Sequence, residues 1–223
     1  MKPSSIALAL ALAAAAAPVA AQYNQPSQQR SETATAGAAN QKAAPASPLK
    51  ISRGAVKALG ELKAAVDAND VANIPAKVAA AQAVAKNPDE RYAVAGLQYK
   101  AAINAKDAAA KAVALEAIIA SGSAAAQGQL ASLYADLANT YTDLKQPARS
   151  SAALERLLAL DPNNVEAQIV YANALKAQGR VPDAVAHLQK TIASKAAGTK
   201  VDERIYKHAV QLAYDAKLPS AIE

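Results

Sequence analysis

Residues 131–164 read ASLYADLANTYTDLKQPARSSAALERLLALDPNN, and residues 165–198 read VEAQIVYANALKAQGRVPDAVAHLQKTIASKAAG. A shift of 34 residues lays one over the other without a gap. Ala138 then meets Ala172, Asn139 meets Asn173, Leu154 meets Leu188 and Leu158 meets Ile192. A fixed period of this size marks a chain built from stacked units, each too small to bury its own apolar face.

The inside of each unit is helical. Leu130, Leu133, Tyr134, Leu137, Tyr141 and Leu144 form one stripe at a 3.6-residue spacing. Lys145, Gln146 and Pro147 end that helix, and a second follows through Ala152, Leu154, Leu157, Leu158 and Leu160. Asp161, Pro162, Asn163 and Asn164 then break the chain, with the Asn side chains placed to cap the next helix. In the following unit a helix from Val165 stops at Gly179, and Val181 and Pro182 open its partner.

A third unit begins near Asp202. The run from Leu218 to Ile222 matches the run from Val181 to Val185 at a shift of 37. The sequence stops one turn into that helix, which predicts an incomplete gene model or a solenoid with its remainder missing. Upstream, helices are expected near 53–68, 74–86, 90–105 and 108–120, closed by Asn87-Pro88-Asp89-Glu90 and Ser121-Gly122-Ser123. The expected fold is all-α, about four and a half helical hairpins over residues 49–223. Units 131–164 and 165–198 are the best defined, and 202–223 is a partial one.

The unit resembles the tetratricopeptide repeat. The likeness rests on the 34-residue step, on Ala138 and Ala172 at the helix crossing and on Tyr141 and Leu175 three residues later. Gly179 at the turn, Ser150 and Ala184 early in the second helix, and the closing Asp161-Pro162 complete it. It is good over 131–223 and loose over 53–122. Gln168 and Lys145 depart from the pattern, standing where a large aromatic and a glycine are usual. The resemblance implies a right-handed α-solenoid acting as a scaffold, with a peptide or helix held in the concave face lined by the first helix of each hairpin.

Composition sets the energetics. The chain has 223 residues, 52% hydrophobic but only 4% aromatic, with no Phe, Trp or Cys. Alanine favours helix strongly, but its methyl buries little area at ~25 cal/mol per Å². Thin, closely packed and soft interfaces are therefore expected.

The N-terminus reads as a cleavable export signal over residues 1–21, with cleavage after Ala21. Lys2 precedes a 12-residue apolar run from Ile6 to Ala17 and the small-residue exit Val19-Ala20-Ala21. At ~1.5 Å per residue that run is too short for a ~30 Å hydrocarbon core. Residues 22–48 are polar, lack Leu, Ile and Val, and read as a disordered linker. The expected location is the bacterial periplasm, with secretion second, which disfavours nucleic acid as a partner. No transmembrane segment is expected. The +6 charge is spread along the helices, a solvated basic surface or one suited to anionic envelope polymers.

Asn139 and Asn173 share one register and lie off the apolar stripe. An amide offers donor and acceptor together, suited to a ligand backbone or to a neighbouring helix, or it simply stands exposed to solvent. The resemblance implies the first use. Thr142, Asp143, Ile169, Lys176, Tyr206 and Tyr214 are expected around them, a mixed polar and tyrosine groove. Tyr134, Tyr141 and Tyr171 read as packing residues.

No catalytic set, metal site or cofactor is indicated. The two histidines, His187 and His208, sit on different helices, and no HExxH or phosphate loop is present. The expected function is an exported scaffold, not an enzyme, that binds a protein or peptide partner of unspecified identity. The open C-terminal edge offers a second binding surface, including self-association. The alternatives are an envelope-assembly or polysaccharide-export accessory factor, or the N-terminal part of a longer enzyme.

Overall fold

The computed structural model describes residues 48–194 and 200–217. The expected export signal, nearly all of the linker and the 218–223 match lie outside the described residues. Met1–Pro48 and Leu49–Glu223 are separate units, and the helices below belong to the second.

The described residues are helical, with no strand among them: α1 (Arg53–Asp67), α2 (Ile74–Val84), α3 (Pro88–Ala105), α4 (Ala108–Ala120), α5 (Ala124–Gln127), α6 (Leu130–Asp143), α7 (Pro147–Leu160), α8 (Val165–Ala177), α9 (Val181–Ala193) and α10 (Glu203–Asp215). Packing follows chain order. Hairpins α1–α2, α3–α4, α6–α7 and α8–α9 are joined by contacts of α2 with α3, α4 with α6, α7 with α8 and α9 with α10. This is an α-solenoid of four hairpins and the first helix of a fifth.

One turn recurs within these hairpins. Asn69 (φ 51°), Lys106 (φ 54°), Lys145 (φ 56°) and Gly179 (φ 76°) all take left-handed backbone after the first helix. The residue after each donates its N–H five residues back: Asp70 to Ala65 O at 2.8 Å, Asp107 to Ala102 O at 2.9 Å, Gln146 to Tyr141 O at 2.8 Å and Arg180 to Leu175 O at 3.0 Å. This is the Schellman ending, which satisfies carbonyls the helix leaves free. Lys217 repeats the φ, at 54°, after α10.

The joints between hairpins use side-chain caps. Asn164 Oδ1 accepts from Ala167 N at 3.0 Å, as its place before α8 predicts. Asn87 accepts from Glu90 N at 3.0 Å while Glu90 Oε2 accepts from Asn87 N at 3.2 Å, a capping box. That box starts α3 at Pro88, two residues earlier than expected. Glu90 is fully buried. Burial pushes its carboxyl up, but Ser52 and the amides of Lys86 and Asn87 outweigh this and hold it at about 2.

The stretch 122–129 holds a feature that periodicity does not reveal. Ser123 Oγ caps the single turn α5, whose Ala126 is fully buried against α3 and α4.

Packing bears the mark of alanine. Ala138, Ala172 and Ala184 are fully buried at the crossings within hairpins, as is Ser150 at 1% exposure. The core forms consecutive clusters. One joins α4, α6, α7 and α8 around Leu115, Leu137, Tyr141, Leu154 and Leu157, and the next joins α8, α9 and α10 around Leu175, Leu188, Ile205 and Leu212. Tyr171 packs on both.

Tyrosine hydroxyls clamp the joints. Tyr99 of α3 donates to Asp136 of α6 at 2.7 Å, Tyr141 of α6 donates to Glu116 of α4, and Tyr171 of α8 donates to Glu155 of α7 at 2.7 Å. Burial first, then the facing carboxylate, raises all three phenols, Tyr141 and Tyr171 to about 12.

Gln168 replaces the aromatic usual at its position with a polar knot. Its Nε2 donates to Pro162 O at 3.0 Å, and its Oε1 accepts from Thr191 Oγ1 at 3.0 Å and meets His187 Nε2. Burial, then Lys190, lowers the His187 pKa.

Candidate partner-binding face

On a helix turning 100° per residue, Asn139 lies opposite the packed stripe of Tyr134, Leu137 and Tyr141. Its side chain is exposed and hydrogen-bonds to no other described residue. Thr142 and Asp143 flank it within 60° on the same face. Asp143 is exposed, whereas the Thr142 hydroxyl turns inward, donating to Ala138 O at 3.0 Å and meeting Ser150 Oγ at 2.9 Å. The fixed hydroxyl leaves Thr142 to contribute chiefly its methyl group.

In α8, Asn173 is likewise exposed, and its side chain hydrogen-bonds to no other described residue. Ile169 is half-buried one turn before it, and Lys176 lies three residues after. Lys176 reaches across to α10, with its Nζ 3.3 Å from Asp215 Oδ2. Both partners are well exposed, so the pair fixes orientation more than it stabilises.

Helix α10 changes the character of the face. Tyr206, Val210 and Tyr214 are spaced by four and are 45%, 47% and 74% exposed. They form an apolar and aromatic strip while Ile205, Ala209, Leu212 and Ala213 are buried behind it. Val210 was missed in the sequence reading, although the 37-residue shift takes Asn173 straight onto it. The position that carries an amide in α6 and α8 carries an isopropyl group in α10.

The face therefore runs from amides to an apolar strip. The α8 and α10 portions sit on helices in direct contact, and α6 joins α8 through the shared core cluster. Of the two histidines, His187 lies on α9 and His208 on α10. His187 contacts Gln168 and Tyr171, whose ring centroid is 4.6 Å from its own. Burial, then Lys176, lowers the His208 pKa, and its Nε2 has no partner among the described residues. Among the described residues, no helix is long and apolar enough to cross a membrane.

No curated protein matches the chain. Residues 141–201 match a family model described as tetratricopeptide repeat, so from Tyr141 of α6 through α9 the chain is similar to proteins built from such repeats.

Proposed function

We propose that this protein is an exported scaffold that binds a protein or peptide partner along the face carrying Asn139, Asn173 and the Tyr206–Val210–Tyr214 strip. Tetratricopeptide repeats generally mediate protein–protein interaction, and the match over 141–201 supports that class of role. The observation that carries the finer reading is the pair of asparagines. An exposed mid-helix Asn costs ~0.5 kcal/mol of helix propensity against Ala. Neither amide recovers this through a bond to another described residue. Each is free to pair with one peptide unit of a bound chain, and the strip on α10 takes an apolar side chain from the same ligand.

Export rests on Lys2, the Ile6 to Ala17 run and the small-residue exit before Gln22. Site-directed photocrosslinking in the cell tests the reading. A photoreactive residue at 139 or 173 should capture an envelope protein, and one at Lys190 on α9 should not. Capture from 190 alone, or from none of the three, overturns it.

A further inference from the structure

A second surface lies on the other side of α6. Glu116, Ile119 and Ala120 of α4, Tyr134, Leu137 and Tyr141 of α6, and Arg149, Ala152, Ala153 and Arg156 of α7 enclose an open cleft of about 310 Å³. Its floor is apolar. The polar groups at its rim are unequally engaged. The Glu116 carboxylate already accepts the Tyr141 hydroxyl. Arg149 lies over the Tyr141 ring, 5.1 Å from its centroid, and its side chain makes one hydrogen bond among the described residues, at 3.4 Å to Gln146. Arg149 and Arg156 are both exposed, and neither forms an ion pair with a described residue. They stand seven residues apart on one face of α7, about 10 Å along its axis.

We infer that this cleft docks an acidic amphipathic helix of a partner protein, independently of the Asn139–Asn173 face. Carboxylates two turns apart on such a helix have the same ~10 Å spacing as the two guanidinium groups. Apolar side chains between them, three and four residues after the first carboxylate, point at Ile119, Leu137 and Ala153. An anionic lipid headgroup or an acidic sugar would use the arginines and leave that apolar floor empty. Charge complementarity and floor together select the helix.

The test uses a fluorescent helical peptide with Glu at positions i and i+7 and Leu at i+3 and i+4, followed by anisotropy against the full chain. Arg149→Glu and Arg156→Glu should each weaken binding about tenfold or more, as expected for loss of a charge-assisted pair. Ala152→Trp, which fills the cleft without changing charge, should weaken it comparably. Lys190→Glu, with the same change in net charge, should leave it unaltered, and circular dichroism should show unchanged helicity throughout. The inference is overturned if the wild-type chain does not bind the peptide, if Lys190→Glu weakens binding as much, or if replacing both Leu by Ser has no effect. Arginine-dependent binding to anionic lipid vesicles without binding to the peptide also overturns it.

Discussion

Lys145 holds φ at 56° in the turn between α6 and α7, where Gly179 holds 76° one period later. Left-handed backbone costs a residue with a β-carbon roughly 1–2 kcal/mol. The Schellman bonds around the turn outweigh that cost without removing it. Lys145→Gly should therefore raise stability by about 1 kcal/mol, read as a higher urea midpoint with an unchanged slope. An unchanged or lowered midpoint would show that Lys145 contributes something that the turn geometry does not contain. Gly179 was legible in sequence because a glycine closing a helical run has one evident use. Lysine announces no backbone preference, so only the 34-residue register pointed at 145 and nothing pointed at Lys106, whereas Asn69 is of a type that tolerates left-handed backbone without requiring it.

Pairs of helices are coupled by tyrosine hydroxyls as well as by packing. Alanine-rich joints contribute little area, so the Tyr141–Glu116 and Tyr171–Glu155 bonds carry a larger share of each joint than in a leucine-rich core. Both phenols are raised from 10 to about 12. A raised folded pKa contributes stability fully present below the unfolded value and lost as pH rises through the folded one. Denaturation midpoints should thus fall between pH 10 and about 12. Tyr141→Phe and Tyr171→Phe should each cost about 1 kcal/mol at neutral pH and flatten that alkaline decline. A decline of undiminished size in the double variant would place its origin elsewhere. Periodicity identified these tyrosines as packing residues because it sees only the apolar ring. Their carboxylate partners lie on the preceding hairpin, 25 and 16 residues earlier, at separations set by tertiary packing and not by helical period. The same holds for Arg149 and Arg156, whose cleft exists only once α4 and α6 are in place.

Over the described residues, the core is a series of overlapping clusters, and most helices pack chiefly on helices close to them in the chain. Coupling of this local kind predicts a broad unfolding transition with end units fraying first. A single sharp calorimetric transition above ~90 °C would be incompatible with it. Solenoid architecture was readable from one period because repetition amplifies a weak signal, whereas α5, a single turn between period-bearing helices, repeats nothing. Of the proposed binding face, the register gave Asn139 and Asn173, and structure added Val210 and the inward turn of Thr142.

The role of that face is the central claim. Its most direct test is the affinity of the crosslinked partner for Asn139→Ala/Asn173→Ala beside that for the wild-type chain. Loss of two net hydrogen bonds of about 1 kcal/mol each predicts binding weakened roughly 10- to 30-fold at unchanged helicity. Equal affinity for the two proteins would contradict the account.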